Sequence, residues 1–212
     1  KFNIDNPSLS TAMRSVGEGM AIGRSFTESL QKGLRSMETG LLGLDEPIIK
    51  GISSTQSLEQ QQQMIKQALN QASPDRLLII AHALRCNISV ETVCDITKYD
   101  PWFIREIHSI VEAEKEVQEQ GLPNESYDLL QLKKLGFSDA KLAQLSNCNE
   151  EDVYKLRHAL QVRPVYKMID TCAAEFASFT PYMYSCYEGD GITQPDCESN
   201  PLDKRKVVIL GS

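Results

Sequence analysis

The sequence predicts a mainly α protein, an irregular multi-helix domain flanked by short extended segments that belong to neighbouring domains. Three observations carry this reading. Helix-capping residues stand ahead of apolar positions of helical period at Ser25, Ser57, Ser73, Ser89, Asp100 and Asn149. The helical grammar is concentrated in the middle, at about residues 45–163. Beyond it come short runs that alternate or are apolar throughout, Val165–Ile169, Tyr182–Tyr187 and Val207–Leu210, which read as strands.

Taken in order, Lys1–Thr11 is a short strand or extended piece with a turn at Pro7. Arg14–Arg24 is an apolar segment punctuated by Gly17, Gly19 and Gly23. Ser25 then caps a helix reaching Glu38, and Glu28, three residues on, completes a capping box. Phe26, Leu30, Leu34 and Met37 form its apolar stripe, and Glu28, Gln31, Lys32 and Arg35 lie on the other face, so this amphipathic helix must dock on something. Thr39–Ser57, with Gly40, Gly43, Pro47 and Gly51, is a linker and places a domain boundary near Gly40–Asp45.

Ser57 opens a helix to about Ala72 with a sparse apolar face of Leu58, Ile65 and Leu69; its Gln60–Gln63 run reads as a solvated face. Ser73-Pro74-Asp75 starts another, and Leu77–Leu84 is apolar nearly all round, so that helix is central; the pattern alone would also allow a strand at Leu77–Ile80. Ser89 begins a short helix to Lys98. Asp100-Pro101 opens the longest, to Gln120, stopped by Gly121, with a stripe of Phe103, Ile107, Ile110, Val111 and Val117 and an acidic row of Glu112, Glu114, Glu116 and Glu119. Helices at Glu125–Leu135, Asp139–Leu145 and Glu150–Leu160 follow, then a loop at Gly189–Asp203.

Composition narrows the function. The chain has 212 residues, is 41% hydrophobic and carries a formal charge of −7. Acidic chains repel nucleic-acid phosphates and anionic lipid, and no apolar run approaches the ~18–20 residues of a membrane span, so neither nucleic acid nor membrane is an expected partner. Six cysteines (86, 94, 148, 172, 186 and 197) have no zinc spacing and are read as free thiols. His82, His108 and His158 lie on separate helices. Gly17-x-Gly19-x-x-x-Gly23 lacks the spacing of a phosphate loop. Asp139–Leu160 has a helix-turn-helix rhythm, but Glu150, Glu151 and Asp152 occupy the end that would enter a groove, and over Asp139–Arg163 four basic residues balance four acidic ones. Those carboxylates suit a helix N-terminus instead. No catalytic, cofactor-binding or metal-ligating set is expected in this chain. Lys1 at one end and the apolar run KVVILGS at the other read as cut ends of a longer chain.

Two stretches carry a resemblance. SVGEGMAIGRSFTESLQKGLRSME (Ser15–Glu38) is similar to the end of the first ATP-grasp domain of the carbamoyl phosphate synthetase large chain, and Pro164–Lys167, IDTCAAEF (Ile169–Phe176) and TPYMYSCYE (Thr180–Glu188) resemble runs that follow only the first half of those enzymes. Gly19 departs from the bulky aliphatic residue usual in the family, and Gly33 from alanine.

The resemblance implies residues 1–40 as the tail of the first (carboxyphosphate) ATP-grasp domain, 41–188 as a helical oligomerisation or linker domain, and 189–212 as a loop and the first strand of the second half. It implies a parent ligase that makes carbamoyl phosphate from bicarbonate, glutamine-derived ammonia and two ATP, with ATP, magnesium or manganese and potassium bound outside this stretch. The implied partners are the remaining large-chain domains, a small glutaminase subunit and further copies of the chain. The implied setting is a bacterial cytoplasm or a plastid stroma. Glu18, the one charged residue inside its apolar segment, either pairs with Arg14 or Arg24 or lines the carbamate tunnel that the resemblance implies. Arg14, Gly17, Arg24, Asp170 and Glu175 are read as structural motif positions. An independent helical interaction module without catalysis is the competing reading.

Overall fold

A computed structural model describes residues 9–11, 13, 17–49, 51–52, 56–173, 175–177, 180–193 and 195–207. Positions 1–8 of the expected piece at Lys1–Thr11 lie outside the described residues, as do Arg14 and positions 208–210 of the last expected strand.

Eight helices and one two-stranded sheet are formed among the described residues, so the fold is mainly α. The helices are α1 (Phe26–Ser36), α2 (Leu58–Leu69), α3 (Arg76–Arg85), α4 (Val90–Thr97), α5 (Pro101–Gln120), α6 (Ser126–Lys134), α7 (Asp139–Ser146) and α8 (Glu150–Ala159). β1 (Val165–Met168) and β2 (Met183–Cys186) pair antiparallel, Val165 opposite Cys186.

Local chemistry sets most boundaries. The Ser57, Ser89 and Ser138 hydroxyls accept from the third backbone N–H of α2, α4 and α7, and the Asp100 carboxylate accepts from Trp102 N–H at the start of α5. Lys98 and Asn147 end α4 and α7 in the left-handed conformation. α3 begins later than Ser73-Pro74-Asp75 suggests. Pro74 and Asp75 form a turn, with Arg76 N–H donating to Ser73 C=O, and the helix runs from Arg76.

α3 is central, with Leu78, Ile79, Ile80, Ala81, Ala83 and Leu84 buried, which excludes the strand alternative. α5 lies along it and buries Ile104, Ile107, Ile110, Val111, Ala113 and Val117. The expected stripe needs one correction. Ile104 is fully buried, whereas Phe103, about 100° round the helix, is exposed and joins an edge-to-face aromatic cluster with Phe26 and Trp102, centroids 4.9–5.4 Å apart.

Gly33 sits mid-α1, and a Cβ there would meet only the Ala21 Cβ, at an ordinary 3.7 Å. Nothing in the packing demands glycine. Gly33→Ala is expected to stabilise the chain by about 0.5–1 kcal/mol, read as a higher urea midpoint; a lower midpoint would show that the space is smaller than it looks.

Candidate functional site

α1 docks by both faces, and the one that the sequence assigns to solvent is the more deeply buried. Thr27, Glu28 and Gln31 are buried, Glu28 at 2% and Gln31 at 0% exposure, while the apolar stripe is only half-buried at Phe26, Leu30 and Leu34 and is 57% exposed at Met37. The cause is the surface that receives it. A helix leaves its last carbonyls unpaired, and at the end of α6 these are buried under α1. Gln31 Nε2 donates to Leu135 O at 2.9 Å and Arg35 Nη1 to Gly136 O at 2.7 Å. The polar face of α1 therefore caps α6 from about a hundred residues away. The fit is close. Gly136 has φ +98°, and a Cβ there would lie 2.9 Å from Glu28 Cα, so only glycine suits the corner.

The capping box at the start of α1 is also altered. The Ser25 hydroxyl accepts from Glu28 N–H, but the Glu28 carboxylate reaches one residue further back and accepts from Arg24 N–H at 2.7 Å. Its other oxygen lies 2.7 Å from Lys32 Nζ. Gly23 is required here, because a Cβ would stand 2.7 Å from Ser29 N.

Two buried charge networks lie behind this seam. In the first, Glu114 of α5 accepts from Arg85 Nε of α3 at 2.7 Å, and its second oxygen lies 3.6 Å from Lys141 Nζ of α7. Lys141 pairs with Asp45 at 2.7 Å, and Arg85 also donates to Leu44 O. The linker between α1 and α2 is thus anchored by a fully buried Leu44 and an ion pair. In the second network, Asp139 at the start of α7 accepts from Lys133 of α6 at 2.7 Å and from Arg157 Nη2 of α8 at 2.9 Å. Lys133 Nζ also donates to Phe137 O, and Arg157 Nη1 to Val162 O. Burial raises the Asp139 carboxyl, but Lys133 and Arg157 more than offset it and hold it below the usual carboxylate range. Tyr187, just past β2, is pushed up to about 12 by burial, against the opposing pull of Arg157.

A third cluster sits on the surface. Arg24 Nε pairs with Glu188 at 3.0 Å, and Lys167 of β1 lies 3.4 Å from Glu188 and 3.5 Å from Glu198. Arg24, Lys167 and Glu198 border a cleft that Ile22, Asp170 and Tyr184 also line.

None of this resembles a catalytic constellation. Among the described residues no group of His, Cys, Asp or Glu could hold a metal ion. The cysteines are free thiols. His82 is half-buried, with burial lowering its pKa, His108 lies 3.4 Å from Glu112, and His158 lies against the Tyr154 ring, so the three stay apart. Glu150, Glu151 and Asp152 are exposed at the α8 N-terminus. The buried polar contacts hold α1 and the linker that follows it against the helical body.

A family model described as "Carbamoyl-phosphate synthetase large chain, oligomerisation domain" matches residues 18–161. The chain belongs to this family. Proteins named carbamoyl phosphate synthase large chain are similar over its whole length: 53% identical in Brucella melitensis biotype 1, 45% in Xanthomonas axonopodis pv. citri and 42% in Vibrio vulnificus. All of this chain is covered in each case, but only 18–19% of the relative, so the chain spans under a fifth of the curated proteins it matches.

Within the family's motif runs, Glu18 and Gly17 are exposed, and a Cβ on Gly17 would meet nothing within 4 Å. Arg24, one of the two partners considered for Glu18, is engaged with Glu188. The Asp170 carboxylate accepts from Cys172 N–H at 2.8 Å, and Glu175 N–H donates to Cys172 O, so both stand on one tight turn. Among the described residues no helix is long and apolar enough to cross a membrane. Sequence reasoning missed Gln31, Arg85, Glu114, Lys133, Lys141 and Arg157. Their signal is faint: each is a polar residue of a helix whose partner lies on a different element or linker.

Proposed function

We propose that this chain is the non-catalytic spacer of a carbamoyl phosphate synthetase large chain, holding two synthetase halves at a fixed separation and contributing to self-association. Residues 1–40 come from the first ATP-grasp domain, 41–188 form the helical domain and 189–212 lead to the second half. The parent enzyme forms carbamoyl phosphate from bicarbonate, ammonia released by a small glutaminase subunit, and two ATP. The nucleotide, its magnesium or manganese and potassium bind elsewhere in the large chain, and Glu18 faces the carbamate tunnel. The setting is a bacterial cytoplasm or a plastid stroma. The observation that carries this reading is the pairing of whole-length similarity with a seam built from caps and buried ion pairs, with no reactive set among the described residues. Such a seam suits a part whose work is to keep a geometry.

The test has two arms. An antibody raised against this chain should detect, in extract of the source organism, a protein several times larger than 23.7 kDa. Millimolar ATP should leave the melting temperature of the isolated chain unchanged. A native species of this size would favour a stand-alone helical interaction module, and a clear rise with ATP would contradict the non-catalytic reading.

A further inference from the structure

Lys32 stands where three segments meet. Its ammonium lies 2.7 Å from Glu28 Oε1 on its own helix and donates to two backbone carbonyls: Ile22 O at 3.0 Å, in the segment that enters α1, and Ser185 O at 2.5 Å, in β2. Two of its donors serve these carbonyls, and the buried Glu28 Oε1 is held by the ion pair alone. The two carbonyls are 163 residues apart in sequence and share one side chain. The side chain is 23% exposed, so its contacts are sheltered from water without being closed to it. Alongside, Arg24 ties the same entering segment to the same hairpin through Glu188 at 3.0 Å and the Tyr184 hydroxyl at 3.4 Å.

We propose that Lys32 is a positioning residue that locks the segment entering the helical domain to the hairpin leaving it, and so sets how the two synthetase halves stand to one another. This rests on the function proposed above. Without the ammonium, the carbonyls of Ile22 and Ser185 lose a shared donor, the hairpin separates from the entering segment, and the seam between the halves loosens. Each half keeps its own phosphoryl-transfer machinery, which lies elsewhere. Passage of carbamate from one to the other suffers. Carbamate that escapes reacts with water to give bicarbonate and ammonia, and the ATP spent on it is lost.

The test uses the complete large chain with its glutaminase subunit. In Lys32→Met the ATP consumed per carbamoyl phosphate should rise at least about twofold, while ATP turnover driven by bicarbonate alone stays within about twofold of wild type. Amide exchange should quicken at Met183–Cys186 and at Ile22. Arg24→Gln, which removes the more exposed tie, should move the ratio the same way by less. A folded Lys32→Met protein with an unchanged ratio overturns the proposal. So does one in which carbamoyl phosphate synthesis and bicarbonate-driven ATP turnover fall in proportion, since that is the mark of a merely structural role. If Lys32→Met does not fold, an unchanged ratio in Arg24→Gln overturns it. A wild-type complex that makes no carbamoyl phosphate would sink the proposed function instead. Exchange at the hairpin would still report whether the lock exists.

Discussion

Glu114→Ala is expected to cost the chain about 3–5 kcal/mol, because it removes one member of a buried charge network and leaves the others uncompensated. Glu114 is 3% exposed and is the one member of the α5 acidic row that points inward. Arg85 would keep its bond to Leu44 O but lose its carboxylate, and its Nη1 already has no hydrogen-bond partner. Lys141 would retain Asp45. Glu112→Ala, two residues earlier and exposed beside His108, is the control and should change stability by less than about 0.5 kcal/mol. Breaking a buried pair differs from replacing it with apolar volume. Arg85→Met combined with Glu114→Leu should therefore recover at least half of the loss. Urea denaturation measures all three variants. A Glu114→Ala protein within about 1 kcal/mol of wild type would mean that the network is not sheltered from water.

The same residue shows what the sequence could and could not tell. Stops and starts are written locally. Ser57, Ser89, Asp100-Pro101 and Gly121 each act on backbone groups within a turn, so α2, α4 and α5 emerge close to where those residues predict. The central place of α3 follows from its all-round apolar surface. Direction of docking is not local. Whether Glu28 and Gln31 face water depends on Leu135 and Gly136, about a hundred residues away, whose carbonyls need donors. A polar face next to an apolar stripe reads as solvent-facing in any single-helix pattern, yet in α1 it is the more buried of the two, while Phe26, Leu30 and Leu34 are half-buried against the core. Glu114 fails for the same reason, as one of four glutamates in a row whose inward member is chosen by Arg85 and Lys141 on other helices. The resemblance located the family but not the seam, because the run that carries α1, Ser15–Glu38, holds only one side of its contacts to Leu135 and Gly136 at the end of α6.

Asp139→Asn should be comparably costly, at about 3–5 kcal/mol, and should also change how stability depends on acid. Asp139 stands between two cations that are themselves buried, Lys133 and Arg157. Asparagine keeps the shape and one acceptor but turns an amide N–H₂ toward groups that can only donate. It also removes a negative charge from the first residue of α7, where the helix macrodipole favours one. The folded state holds the Asp139 carboxyl below its ordinary value, and Lys141 and Leu42 N–H do the same for Asp45 against the opposing effect of burial. A depressed carboxylate contributes stability that is present above its unfolded pKa, about 3.9, and lost as the pH falls through the lower folded value. Wild-type stability should therefore be steady, as far as these two groups decide it, from neutral pH to about 5, and should fall below about 4. Asp139→Asn starts lower and falls less steeply, because one of the two titrations is gone. Urea midpoints between pH 3 and 7, at constant ionic strength, distinguish the outcomes. Parallel curves for the two proteins would show that Lys133 and Arg157 do not hold the Asp139 proton off in the folded state.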